Sequence, residues 1–296
     1  MSPPADENSE PNVGQLILRI GAQFEQAELY YGHGTDNALD EAAALVFSVL
    51  QLDHMAAEEG YEKTVPAVAL SRIKECTQQR IKSREPLAYI LREAWFAGLN
   101  FYVDERVLVP RSPIAELIQQ RFEPWIEQQD VHAILEVGAG SGCIAIACAL
   151  AFPAAAVTAT DISPAALEVA AKNVASYQLG ERLDLQQADL LDGVQGNFDI
   201  IISNPPYVPD AEQRVLPDEY GFEPSLGLFS GADGLDAARR ILRDVPRLLN
   251  PGGILVLEVG AQWQLLEQAF PDLPFTWIEF AQGGEGVGLL NATDFR

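Results

Sequence analysis

Four consecutive residues, Asn204-Pro205-Pro206-Tyr207, follow an apolar run, FDIIIS, at 198–203. Proline fixes φ and carries no N–H, so two in succession make a stiff corner that offers carbonyl acceptors and no competing donors. The Asn204 side-chain carbonyl beside the Pro205 main-chain carbonyl provides two acceptors, enough to grip both hydrogens of one –NH2 group. A planar amine or amide held in this way could lie against the Tyr207 ring. Proline pairs also mark ordinary loops; what raises this one is its place after a buried strand, downstream of a glycine corner and an acid.

That glycine corner is Glu136-Val137-Gly138-Ala139-Gly140-Ser141-Gly142, between an apolar strand at 133–137 and an alanine-rich helix at 143–152. Glycines there let the backbone turn tightly and let a ligand approach. Two cofactor classes use such a corner. Dinucleotide enzymes set a pyrophosphate on the helix N-terminus, and methyltransferases set the amino-acid end of S-adenosylmethionine against the loop. The spacing leaves both open, since Gly140-Ser141-Gly142-Cys143-Ile144-Ala145 also fits the dinucleotide pattern. Asp161 ends the second strand 19 residues after Gly142 and can accept both ribose hydroxyls of an adenosine in either class. The plainer reading makes it a helix-opening aspartate near Ser163. Asp189, with Leu190 beside it, follows the third strand and is placed to hold an adenine amino group.

The elements that must position these residues form two regions. Residues 1–11 are acidic and proline-rich and read as a disordered tail. Residues 12–93 read as a helical bundle: Leu16, Ile20 and Phe24 recur every fourth position, Leu39, Ala43, Val46 and Leu50 recur at steps of three or four after a cap at Asp36, and Pro66 opens a helix carrying Leu70, Ile73 and Thr77. Residues 94–112 read as a connecting β-hairpin with runs around Phe96–Phe101–Val103 and Val107–Val109, closed by Pro110-Arg111-Ser112-Pro113, where Ser112 caps a helix. Residues 113–296 alternate strand and helix, with strands at 133–137, 156–160, 183–187, 198–203, 253–259, 275–280 and 287–291. Near-continuous apolar strands between helices mean a mostly parallel α/β sheet covered on both faces, whose ligands sit outside the carboxyl ends of the strands.

Forty-three acids against nineteen bases leave a formal charge of −24. Such a chain repels nucleic acid and anionic membrane at long range and attracts a basic partner, so direct DNA binding and membrane association are not expected. Three cysteines cannot make a disulfide framework, and three scattered histidines offer no metal site of recognisable spacing. The longest apolar run, 143–152, is too short to span a bilayer, and the N-terminus lacks a secretory pattern; the chain reads as cytoplasmic.

The N-P-P-Y corner resembles that of S-adenosylmethionine-dependent methyltransferases acting on planar nitrogen, which include DNA adenine and cytosine enzymes and protein glutamine enzymes. The hairpin residues Phe96-Ala97-Gly98-Leu99-Asn100-Phe101-Tyr102-Val103, the run Val107-Leu108-Val109-Pro110-Arg111, and Gly140-Ser141-Gly142-Cys143-Ile144-Ala145 are similar to the glutamine branch. Arg111-Ser112-Pro113, Phe222-Glu223-Pro224 and Asp233-Gly234-Leu235 resemble, within that branch, the enzymes acting on large-subunit ribosomal protein L-three. Release-factor enzymes usually continue the P-R with proline. The likeness spans nearly the whole chain beyond the tail; Glu136 before the glycines departs from the more common aspartate.

The resemblance implies a Rossmann-like class I methyltransferase sheet of seven mostly parallel strands, with the helical bundle recognising substrate. It implies S-adenosylmethionine bound by Glu136, Gly138, Ala139, Gly140, Ser141, Gly142, Asp161, Asp189, Leu190 and Asn204, and no metal. A glutamine side-chain amide of a basic ribosomal protein would be held by Asn204, Pro205, Pro206 and Tyr207, with Asn204, Pro205 and Tyr207 catalytic. Phe96 and Phe101 are expected to wall the amide slot, or else to be plain core aromatics; Arg111 is expected to touch substrate, or else to form a structural ion pair. Other readings are glutamine methylation of release factors, exocyclic-amine methylation of nucleic acid, a non-catalytic assembly factor that binds the cofactor, and a dehydrogenase.

Overall fold

Asn12 and Gln15 open the first helix with a reciprocal cap: the Asn12 side chain accepts from the Gln15 N–H at 2.8 Å and the Gln15 side chain accepts from the Asn12 N–H at 3.3 Å. The structure, a computed structural model, describes residues 11–52, 60–281 and 283–295; of the expected tail, 1–10 lie outside them. The chain divides into two compact units. One holds the residues up to Glu93 together with Pro217–Phe222, and the other holds Ala94–Leu216 and Glu223–Arg296. The hairpin thus belongs with the second unit, and a short piece of the later chain belongs with the helices.

In the helical unit, α1 (Val13–Gln26) buries Val13, Ile17, Ile20 and Phe24 along one stripe. Helix α2 (Ala38–Leu50) is capped by Asn37, not by Asp36: the Asn37 side chain accepts from the Asp40 N–H at 2.9 Å. Pro66 stands one place before α3 (Ala67–Ser83) rather than inside its first turn, and α4 (Leu87–Leu91) follows. Phe24, Leu45, Phe47 and Ile73 meet in a single apolar cluster. Arg80, almost fully buried on α3, bonds Glu41 of α2 and reaches Glu219 at 3.4 Å, while its Nη2 donates to the Tyr30 carbonyl at 2.9 Å. Arg84 also pairs with Glu219, at 2.9 Å. Buried ionic bonds therefore hold the 217–222 segment within this unit.

The second unit opens with a tight hairpin of β1 (Ala94–Phe96) and β2 (Leu99–Phe101) around Ala97-Gly98. In the apolar run 107–109, Val107 and Val109 are buried and Leu108 is half-buried, but the run is not a strand; the Val109 N–H goes to the Glu223 side chain at 3.0 Å, not to a neighbouring ladder. Helix α5 (Ile114–Gln119) begins one residue later than expected, with Pro113 ahead of it.

Then come β3 (Ala133–Val137), α6 (Cys143–Ala151), β4 (Ala156–Asp161), α7 (Pro164–Ser176), β5 (Leu183–Gln187), β6 (Phe198–Ser203), α8 (Asp236–Asp244), β7 (Leu249–Glu258), α9 (Trp263–Ala269), β8 (Thr276–Trp277) and β9 (Val287–Asn291). Ser163 caps α7 with Pro164 in its first turn. The sheet order is β5-β4-β3-β6-β7-β9-β8; β5 to β7 run parallel and β9 is antiparallel to both its neighbours. This is the expected seven-stranded, mostly parallel sheet. Ile134, Ile200, Ile202, Ile254 and Val256 pack on one face, and Leu135, Val137, Ile201, Leu255 and Leu257 on the other, as period-two alternation in a doubly covered sheet requires. The chain leaves β3 for β4 on one side and returns for β6 on the other. A crevice therefore opens at the carboxyl ends of β3, β4 and β6.

Candidate active site

The glycine loop leaves β3 at that edge. Gly138 and Ala139 both donate to the Thr160 carbonyl at 2.8 Å, and Gly140 donates to Asp161 Oδ2 at 2.8 Å, which draws the loop over the end of β4. Asp161 Oδ1 accepts from the Ser163 N–H at 2.8 Å, so the helix-opening role is also real. Burial raises the Asp161 carboxyl, and these two N–H bonds oppose it. A carboxylate offers about four lone-pair sites, which leaves capacity for hydroxyl donors.

Four of the expected cofactor residues have partners within the chain. Glu136 is buried, and its Oε2 accepts the Ala145 N–H at 2.8 Å. Gly142 precedes α6 without a side-chain cap, so the strand acid supplies the acceptor that the helix N-terminus lacks. Burial pushes its carboxyl well above the usual range, with the Ala145 N–H opposing and the Asp161 charge adding. Ser141 presents its carbonyl to Asn173 Nδ2 at 2.8 Å; the same amide donates to the Tyr102 carbonyl at 2.9 Å and ties the hairpin's exit to the loop. Asp189 is bound by Arg240 at 2.9 Å, and Leu190, at φ +55°, accepts from the Thr160 hydroxyl at 3.2 Å.

The N-P-P-Y corner stands at the same edge. The Ser203 hydroxyl donates to the Val137 carbonyl at 2.7 Å, locking the end of β6 to the end of β3. A Cβ on Gly138 would meet only the Asn204 carbonyl oxygen, at 3.9 Å, and one on Gly140 would meet nothing within 4 Å. The loop is thus open to a ligand and adjacent to Asn204. Pro205 is buried, while Asn204, Pro206 and Tyr207 are half-buried. Beyond them Val208 is held between Leu228 and Ser230 by main-chain bonds of 2.8 and 3.0 Å.

The hairpin residues are placed differently. Phe96 and Phe101 are 4% and 0% exposed and pack edge to face at 6.5 Å in the core with Ile114 and Leu117; the plain core reading holds for both, and neither is kept as a slot wall. Arg111 forms a two-pronged ion pair with Glu223, at 2.6 and 2.9 Å, which is the structural alternative. Sequence reasoning missed Glu258 and Ser112. The buried Glu258 carboxylate accepts from the Tyr207 hydroxyl at 3.2 Å and from the Ser112 hydroxyl. A lone acid ending the apolar run GILVLE was the available signal.

Residues 120–216 match the family model for the methyltransferase small domain. Over 264 residues the chain is 44% identical to the ribosomal protein uL3 glutamine methyltransferase of Francisella tularensis, covering 88% of this chain and 84% of that one. The chain belongs to the uL3 glutamine methyltransferase family. The Neisseria meningitidis serogroup B member is likewise 44% identical over 276 residues, 93% of this chain and 91% of its own. Among solved structures the hMettl16 catalytic domain, crystallised with a MAT2A 3′UTR hairpin, superposes with a TM-score of 0.52 at 17% identity, over 76% of this chain and 81% of that one. That likeness speaks to the fold alone, which is the class I methyltransferase fold.

Membership makes the chain a methyltransferase with S-adenosylmethionine as methyl donor, and the dehydrogenase reading falls. The residues present fit that donor: an open glycine loop faces the crevice, and the half-buried Asp161 carboxylate, with spare acceptor capacity, ends the neighbouring strand.

Proposed function

We propose that this protein methylates the side-chain amide nitrogen of a glutamine in ribosomal protein uL3. The observation that carries this is the adjacency of the open glycine loop to a rigid, donor-free corner at one sheet edge, in a chain whose 44%-identical relatives bear that activity in their names. Gly138, Ala139, Gly140 and Asp161 would hold S-adenosylmethionine, with Asp189 and Leu190 on the adenine side. When bound, it supplies an electrophilic methyl group on a positively charged sulfur. The chain's own residues supply the rest. An amide nitrogen is a poor nucleophile because its lone pair is delocalised into the carbonyl. The Asn204 side-chain oxygen and the Pro205 carbonyl accept its two N–H bonds, push electron density back onto nitrogen and fix its direction of attack. Orientation of this kind is worth about 7–11 kcal/mol at near-attack geometry. Tyr207 lines the amide, and the helical unit contributes to recognition of the protein substrate.

The −24 charge suits a basic ribosomal protein, because complementary fields raise encounter rates. No helix among the described residues is long and apolar enough to cross a membrane, and we assign the reaction to the cytoplasm. The test offers the purified enzyme and labelled methyl donor to uL3, a release factor and duplex DNA in parallel. Label on a uL3 glutamine, with association slowing as salt rises, is expected. Label on the release factor with none on uL3 would overturn the assignment.

Asp161→Asn is expected to weaken S-adenosylmethionine binding by about 10- to 100-fold, the range for hydrogen bonds to a charged group. Calorimetric titration measures it, and unchanged affinity would remove Asp161 from the cofactor site.

A further inference from the structure

Glu258 is the last residue of β7, one position beyond the Ser203–Leu257 pair that aligns β7 with β6, so it reaches the edge where Asn204 begins. A carboxyl group ending an apolar strand at 4% exposure is costly to bury unless hydrogen-bonded. Both of its oxygens are used: Oε2 takes the Ser112 hydroxyl and Oε1 the Tyr207 hydroxyl. The Ser112 oxygen already accepts the Ile114 N–H at 3.2 Å, which leaves its single proton for Glu258.

Tyr207 is held at two further points. A Cβ on Gly260, at φ +50°, would lie 2.8 Å from Cε2 of the Tyr207 ring, and one on Gly234 would lie 2.1 Å from the Tyr207 carbonyl oxygen. Glycine at these positions lets two backbone segments close on the ring and the main chain, while Glu258 fixes the hydroxyl. Nothing in packing alone requires an acid at that third point.

We propose that Glu258 is a positioning residue for methyl transfer, and that its carboxyl group, oriented by Ser112, sets the Tyr207 ring and the direction of its hydroxyl against the bound amide. The inference rests on the reading of Asn204-Pro205-Pro206-Tyr207 as the amide-holding corner. Its proton state matters. Burial pushes the Glu258 carboxyl up to about 7, against the Ser112 and Tyr207 bonds and the charge of Arg111, which is itself paired with Glu223. Ionised, Glu258 draws the Tyr207 hydrogen toward itself. Protonated, it can donate to the Tyr207 oxygen and turn that hydrogen elsewhere. Turnover should therefore show an inflection near neutral pH that belongs to this contact.

The test compares wild-type, Glu258→Gln, Tyr207→Phe, the double variant and Asn204→Ala as full-length enzymes with uL3 as substrate. Measurements are kcat, KM, S-adenosylmethionine affinity, melting temperature and the pH profile. Glu258→Gln and Tyr207→Phe are each expected to lower kcat by about 10- to 100-fold, as small misplacements near reacting groups do. Cofactor affinity should hold within about two-fold, the neutral inflection should vanish, and the double variant should be no worse than the poorer single one. Wild-type turnover with its inflection in Glu258→Gln, or losses that multiply in the double variant, would overturn the inference. If Glu258→Gln does not fold, Tyr207→Phe decides alone, and a retained inflection there overturns it. Full turnover in Asn204→Ala would overturn the reading of the corner itself, and this inference with it. An inactive Asn204→Ala beside a wild-type-like Glu258→Gln would overturn this inference alone.

Discussion

Asn204→Ala is expected to lower kcat by about 10²- to 10³-fold, the loss seen when one preorganised hydrogen-bonding group aimed at developing charge is removed, while S-adenosylmethionine affinity stays within about three-fold. The cofactor loop is anchored independently of this side chain: Gly138 and Ala139 hang from Thr160, Gly140 hangs from Asp161, and the β6 end is fixed by Ser203. What the variant loses is one of the two acceptors for the amide's hydrogens. Asn204→Asp keeps an acceptor oxygen and should fall between the two. Single-turnover methylation of uL3 with calorimetric cofactor titration separates the effects. A folded Asn204→Ala that transfers methyl at the wild-type rate would remove the two-acceptor account. If instead the variant transferred no methyl yet complemented an assembly defect in cells, a role in ribosome assembly independent of catalysis would follow.

The edge of the sheet was legible in the sequence because its signals are local. Apolar runs such as FDIIIS and the Ser163-Pro164 helix start depend on neighbours within a few residues, and β6 and α7 span 198–203 and 164–176, as expected. The misread features depend on partners far along the chain. Residues 107–109 are as apolar as a strand, but the Val109 N–H bonds a side chain from position 223 and the run joins no ladder. Arg111 could not be assigned between substrate and ion pair until Glu223, 112 positions away, was placed beside it. Phe96 and Phe101 have the residue types of a slot wall, and only burial separates that from core. The lone acid Glu258, in an otherwise apolar run, was the unexploited clue, since a buried carboxyl needs a reason.

The helical unit hides a similar feature, and it carries the second large effect. Arg80→Ala is expected to destabilise this unit by about 3–5 kcal/mol, the cost of leaving a buried ionic partner uncompensated. Arg80 bonds Glu41, Glu219 and the Tyr30 carbonyl from a side-chain exposure of 1%, and Glu219 is fully buried. Burial alone would raise the Glu219 carboxyl, yet the Tyr30 N–H and the Arg84 and Arg80 charges outweigh it and hold it below its usual value. A depressed folded-state pKa means this stabilisation is complete above the unfolded carboxylate value and is lost as pH falls through the folded one, so the unit should melt earlier in acid. Because Glu219 lies in the 217–222 segment, which continues the chain from Tyr207, Arg80→Ala should also raise amide exchange over 217–222. Adding Glu41→Gln to Arg80→Ala removes one stranded charge and should restore part of the loss. Thermal melts and hydrogen exchange across these variants check the account. A loss under about 1 kcal/mol, with no gain from Glu41→Gln, would show that the two carboxylates find other partners and that the buried arginine does not hold the segment.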